Sequence, residues 1–513
     1  MSLLLKAFPH GRPRPRAPRA LLVLSLTLSM ALLALPMGEM AQAQTPNQTA
    51  AQTPAQTKHH AKKKPAHHKS AKAKARKKAK PPRVPGQPPR NYVIPTGSLF
   101  SYPNRGRKYQ TTIRNRVLYT IQSTWGGPLD RYGAPLPTNG RIRIVTWSFD
   151  DWTIARALVA AKKRGVSVQV IGAKKANIGH ASWRWLRQKL GENLYRPKLP
   201  NTNYTWSFAR QCRGACRGRY GTAHAKYFLF DNVASGHARK VTVQTSMNLT
   251  TFAVSGQWNE ATVWHSGLVY DDYYGIFRQA RLNRPQVQPY SAKALGTAVV
   301  DYFFPRYGIT PAGDPVYQAL APITCYGATA GGTGATRINI IQYAIYGSRG
   351  EWIARRLRQL WEHGCSVSII YSVASRPVLQ ILRNGSGRGA IPMRQSVITD
   401  GYGTIVKYNH SKWMTIVGHW GRQRDAYVTF DGSANWANLA AGSDEQMQRV
   451  LGRNEALRHL ITFTTTWNQP SSHLPGYGVL PNITGRVIPT FARDVPQGEP
   501  EWGKGVFKYM TPD

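Results

Sequence analysis

The chain has 513 residues, enough for two or three domains, and 69 lysines and arginines against 23 aspartates and glutamates give it a formal net charge of +46. Cations in such excess direct it to polyanions or anionic surfaces, without saying which. A single apolar run near the N-terminus has no successor, which excludes a multi-span membrane protein.

That run, Leu21–Leu35, follows Arg12, Arg14, Arg16 and Arg19 and precedes Ala41, Gln42 and Ala43. This order predicts a secretory signal peptide over residues 1–43, cleaved after Ala43. The run is short for a membrane span, and an uncleaved anchor is the alternative. No Arg-Arg pair precedes it, which points to the general secretion route rather than the twin-arginine one. The mature protein is expected to be soluble and secreted, outside the cytoplasm.

Residues 44–91 read as a disordered Lys/Ala/His/Pro-rich tail, because such a segment cannot bury enough apolar surface to offset its ordering entropy. The tail suits a solvated linker, or an electrostatic tether to an anionic surface or polymer. Its His59, His60, His67 and His68 sit among lysines, which speaks against a built metal site. The tail holds thirteen cations and no carboxylate, and residues 92–513 still carry about +29. The folded part is therefore basic in its own right.

From residue 92 onward the pattern is strand, helix, strand, and it occurs twice. Arg141–Trp147 alternates as a β-branched strand, a 3.6-period helix opens at Trp152, and Gly165–Ile171 reads as a buried strand. Farther along, Arg337–Tyr343, a helix opening at Trp352 and Gly364–Ile370 repeat the order. This predicts an α/β fold of two similar lobes, 92–300 and 301–513, each a mixed sheet flanked by helices. Trp183, Trp185, Tyr204, Trp206 and Phe208 suit either a lipid entrance or the core. Gly327–Gly334 lacks the Lys-Ser/Thr ending of a phosphate loop and reads as a linker between lobes. Cys212 and Cys216 suit a local disulfide in an exported chain. Cys365 is either the partner of Cys325 or a core thiol.

Chemistry-bearing residues repeat with the scaffold. His224, Lys226, Ser246, Asn248 and Glu260 recur as His410, Lys412, Ser433, Asn435 and Glu445. A neutral imidazole can attack phosphorus, and a protonated one can supply the leaving alcohol with its proton. Lysines and amides can neutralise the non-bridging oxygens, and Ser246 and Ser433 are expected to bind the phosphate beside them. Each ring needs a partner on its second nitrogen, and Glu260 and Glu445 follow at a distance that allows it. The set calls for neither a cofactor nor a metal.

The two copies resemble the signature of the phospholipase D superfamily, His-x-Lys-x4-Asp followed by Gly-Ser-x-Asn. The first runs from His224 and Lys226 to Asp231, then Thr245, Ser246 and Asn248. The second runs from His410 and Lys412 to Val417, then Gly432, Ser433 and Asn435. The resemblance covers about residues 95–470 and implies one active site at the interface of two lobes in a monomer. It further implies that His224 is the nucleophile and His410 the general acid and base. Val417 and Thr245 depart from the family's Asp and Gly, and Asp231 is a supporting residue in the first copy only.

Three functions follow as expectations. The first is a secreted phospholipase D, cleaving phospholipid to phosphatidic acid and head group, with transfer to an alcohol as a variant outcome. The second is a nuclease of the same superfamily, acting on nucleic acid. The third is a non-catalytic, basic envelope-binding protein. A cardiolipin synthase is disfavoured, because no hydrophobic anchoring follows the signal.

Overall fold

Strands buried on both faces are written as continuous apolar, β-branched runs, and each half of this molecule is built on a pair of them. The computed structural model describes residues 92–473 apart from 132 and 193–205, together with 480–481, 487–488 and 499–511. The expected signal peptide, the tail and Tyr204 lie outside the described residues.

The first sheet holds β1 (Gly97–Ser101), β2 (Arg141–Thr146), β3 (Ser167–Ala173), β4 (Phe208–Cys212), β5 (Tyr227–Asp231), β6 (Val241–Thr245) and β7 (Gln257–His265). Their spatial order is β1-β7-β6-β5-β2-β3-β4, with β2, β3 and β4 parallel and the other pairs antiparallel. The helix Trp152–Lys163 makes the crossover from β2 to β3. Asp151 starts it by accepting from the backbone of Thr153 and Ile154 at 2.8 and 3.1 Å. Gly165 (φ +86°) ends the turn after it, where a Cβ would stand 1.9 Å from the Gly127 carbonyl. Ile154, Leu158 and Ala161 bury the helix's apolar stripe on the sheet.

The second sheet holds β8 (Ser291–Leu295), β9 (Val299–Phe303), β10 (Arg337–Ile345), β11 (Ser366–Ala374), β12 (Met393–Thr399), β13 (Ile405–Asn409), β14 (Lys412–Trp420), β15 (Gln423–Gly432) and β16 (Gln446–Leu451). Its order runs β8-β9-β16-β15-β14-β10-β11-β12, again with β10, β11 and β12 mutually parallel, and β13 pairs antiparallel with the end of β12. From β7 to β4 and from β16 to β12 the two orders coincide. The two-lobed α/β architecture expected from the sequence is therefore present. Position 300 falls inside β9, whose hairpin with β8 pairs into the second sheet.

Of three local expectations one, the linker, is corrected, and the open alternatives at the aromatics and cysteines are decided. Trp183 and Phe208 are core residues, fully covered by their neighbours, so neither lines an entrance. Gly327–Gly334 lies inside the second lobe instead of joining the two. Ala328 donates to the Gly334 carbonyl at 3.0 Å, and Ala330 packs on Val417. Cys325 and Cys365 form a disulfide, as do Cys212 and Cys216.

The lobes exchange backbone. β13 pairs parallel with β7 through Tyr408 and Asn409, and Ala223 bridges Asp444. Between them Thr262 donates to a buried carboxylate, Asp431, at 2.6 Å. Burial drives the Asp431 carboxyl up to about 6, against the opposing pull of His459. A carboxyl that binds its proton more tightly folded than unfolded contributes stability below its ordinary value near 4, and this is lost as pH rises through about 6. Asp431→Asn should therefore be near neutral at pH 4 and stabilising, on the order of 2 kcal/mol, at pH 7. Thermal melts of the two proteins across that range check it; a constant difference would overturn it.

Candidate active site

Each histidine–lysine pair stands at the entry to a hairpin strand. His224 and Lys226 lie just before β5, and His410 lies just before β14, which opens at Lys412. Extended backbone sets residues i and i+2 on one face. Accordingly Lys226 Nζ is 2.6 Å from His224 Nε2, and Lys412 Nζ is 2.9 Å from His410 Nε2. Each ammonium also donates to the carbonyl of its own histidine, at 2.6 and 2.7 Å. All four side chains are buried.

With Nε2 accepting from lysine, the ring proton is assigned to Nδ1. The partner of each Nδ1 comes from the opposite lobe. His224 Nδ1 donates to Glu445 Oε1 at 2.7 Å, and His410 Nδ1 to Asn259 Oδ1 at 3.0 Å. The backbone repeats the exchange: His224 N donates to Asp444 O at 3.0 Å, and His410 N to Trp258 O at 2.9 Å. Docking of the two lobes is what sets both rings.

Sequence order made Glu260 and Glu445 equivalent; the structure corrects this by one residue. The twofold mate of Glu445 is Asn259, and that of Glu260 is Gln446. Lys412 N donates to Glu260 Oε1 at 3.1 Å, and Lys226 N to Gln446 Oε1 at 2.9 Å. Glu445 thus holds a ring while Glu260 holds a backbone amide. Asn259, the ring partner of His410, was missed, although a signal existed. The two histidines are 186 residues apart, and the same offset carries Glu445 to Asn259.

The serines, expected on the phosphate, take a different position. Ser433 donates to Glu445 Oε2, and Ser246 Oγ lies 2.9 Å from Asn259 Oδ1. Each hydroxyl orients the group that holds the other lobe's histidine. Burial pushes the Glu260 carboxyl up, against hydrogen bonds from Ser411 and Lys412. Its Oε2 stands 3.0 Å from Ser246 Oγ.

Asn248 and Asn435 are buried two residues beyond these serines. The backbone of Asn435 is held by Arg349 Nη1 at 2.9 Å, and Arg349 in turn pairs with the buried Asp314 at 2.8 Å. Thr245, in place of the family's Gly, donates to the Glu260 carbonyl at 2.5 Å. At Gly432 a Cβ would stand 2.3 Å from the Gln446 carbonyl, so only the second copy requires glycine there. Val417 lies five residues along β14 from Lys412, roughly 17 Å away at strand rise. It packs against Ala330 and Ala456. Asp231 occupies the matching far end of β5, opposite Arg141. The missing aspartate therefore removes nothing from around the histidines.

Two further features were not legible. Asp444 accepts from the Cys216 and Arg217 amides at the disulfide turn, and burial raises its carboxyl to about 6. Trp147 lies edge-on to His224 at 5.8 Å, and Tyr343 lies 4.7 Å from His410 between ring centroids. Among the described residues, no cluster of three or more His, Cys, Asp or Glu side chains is arranged to hold a metal ion.

Comparison with known proteins adds the following. Residues 138–281 match the family model of the cardiolipin synthase, phospholipase D-like domain. No curated protein matches the chain. Among solved structures it is similar to polyphosphate kinase from Porphyromonas gingivalis, at 12% identity and a TM-score of 0.46 over 72% of this chain and 50% of that one. It thus spans half the length of that protein. It is similar to Nuc from Salmonella typhimurium, a phospholipase D family member, at 21% identity and a TM-score of 0.24 over 37% of this chain and 97% of that one. A third is the phosphatidylserine synthase of Haemophilus influenzae, at 11% identity and a TM-score of 0.45 over 71% and 86%.

Proposed function

We propose that this chain, a member of the phospholipase D superfamily with a phosphodiesterase fold, is a secreted phospholipase D that needs no metal. It hydrolyses phospholipid to phosphatidic acid and the free head group. One observation carries the reading: two His–Lys pairs, each with Nε2 on the lysine and Nδ1 held from the opposite lobe.

The chemistry then runs in two balanced steps. His224 Nε2 attacks phosphorus, the head-group oxygen leaves, and His410, as imidazolium, gives that oxygen its proton. Water then loses a proton to His410 and attacks phosphorus, and the P–N bond to His224 breaks. An alcohol in place of water gives transfer instead of hydrolysis. Lys226, Lys412, Asn248 and Asn435 neutralise the non-bridging oxygens.

The unequal partners support the division of labour. A phosphorylated imidazole is cationic, and the Glu445 carboxylate stabilises that charge on His224. Asn259 is a neutral amide and sets no such charge beside His410. Residues 1–43 as an export signal and 44–91 as a tether to anionic surfaces belong to the same proposal, as does a monomeric state.

The test is the mature protein in EDTA with phosphatidylcholine and, separately, plasmid DNA. Choline release without nicking is expected. Nicking without choline release would assign a nuclease, and activity on neither would assign a binding protein.

A further inference from the structure

Of the aromatic residues noted in the sequence Trp183 and Phe208 are core, and beside them lie apolar side chains that are partly or largely exposed. Trp152 is 40% exposed at the start of its helix, and Ile178 is 64% exposed just before the helix Ala181–Leu190. The rings of Trp152 and Trp185 meet at 5.6 Å, joining the two helices. Arg156 sits over Trp152 at 5.5 Å, and Arg184 donates to the Ile178 carbonyl at 3.2 Å. Lys174 and Lys175 are exposed between them.

The charge here is one-sided. From Trp152 to Gly191 the sequence holds nine lysines and arginines and no aspartate or glutamate. The flanking carboxylates are engaged: Asp151 by Arg114 at 3.0 Å, Asp150 by the Thr251 amide at 2.5 Å, and Glu192 by Arg187. The cluster is also tied to the active-site edge. Asn177, next to Ile178, donates to the carbonyl of Trp147 at 2.8 Å, and Trp147 touches His224.

We infer that the surface formed by Trp152, Ile178 and Trp185, with its ring of cations, docks the protein onto an anionic phospholipid bilayer. Indoles settle at the headgroup boundary, and a bare isoleucine gains free energy only from an apolar phase, while the cations meet anionic headgroups. A nucleic acid has no comparable place for Ile178. The inference deepens the phospholipase reading and rests on it, since it brings the His224 edge to the lipid.

The test uses the full chain carrying His224→Ala, so that lipid is not consumed. All four native cysteines are disulfide-bonded, so Ile178→Cys takes a single polarity-sensitive dye. His237→Cys, exposed on the turn at the opposite end of β5 and β6, is the control. Mixed phosphatidylcholine–phosphatidylglycerol vesicles should shift the dye at 178 to the blue and leave that at 237 unchanged. No shift at 178, or equal shifts at both, would overturn the inference. A shift at 178 with plasmid DNA and none with vesicles would assign the surface to nucleic acid instead. In the active protein, Trp152→Ala with Ile178→Ser should weaken vesicle binding about tenfold. Turnover of soluble bis(p-nitrophenyl) phosphate should stay unchanged. An equal loss of that turnover would mean a structural role and sink the docking surface. Insertion without choline release would leave the surface standing and defeat only the phospholipase reading.

Discussion

Replacing His224 by alanine should lower kcat/KM for phosphatidylcholine by about 10⁴-fold or more while leaving the fold intact. In the proposed mechanism this side chain makes the bond to phosphorus, and His410 is committed to the proton transfers. Lys226 and Lys412 are cations placed to hold charge, and Glu445 is turned toward the His224 ring at 2.7 Å. The loss should appear in kcat, with KM little changed, because the phosphate-neutralising groups remain. Choline release and far-ultraviolet circular dichroism measure the two sides of the claim. A folded variant with residual turnover within tenfold of the parent would remove His224 as nucleophile.

The second large effect separates the two histidines. His410→Asn should reduce steady-state choline release by about 10²- to 10⁴-fold, because the leaving alcohol then departs without a proton. With bis(p-nitrophenyl) phosphate the outcome differs. Nitrophenolate leaves unassisted, so the first step proceeds and the second, which needs His410 as base, stalls. One burst of nitrophenol per enzyme should appear, with an acid-labile, base-stable phosphohistidine at 224 detectable by mass spectrometry. A burst in His224→Asn and none in His410→Asn would reverse the roles. The asymmetry behind the expected order is the pairing of His224 with a carboxylate and of His410 with an amide.

Much of this was legible in the chain because it is local. An alternating run such as Arg141–Thr146 is a strand in almost any context, and extended backbone alone puts His224 and Lys226 on one face. The order of chemical residues, repeated with the scaffold, carried the two-lobed architecture and the resemblance. Burial of single aromatics was not legible in the same way. Trp183 and Trp185 are two residues apart in similar company, yet one is core and the other sits on the surface pair with Trp152. Which of them points inward depends on how their helix is rotated against β3 and β4, and no local signal records that.

The active site divides along the same line. Sequence by itself determined the doubled His-x-Lys, the asparagines that follow, and hence the class of chemistry to look for. Only the tertiary structure decided who holds each ring. Glu445 and Asn259 reach their histidines because β16 and β7 dock against the opposite lobe in a register set by the Ala223–Asp444 and Asn409–Trp258 pairings. A shift of one residue in that register would turn each side chain to the other face and exchange Glu445 for Gln446 beside His224. The long-range pairing of strands is therefore what places a carboxylate on one histidine and an amide on the other.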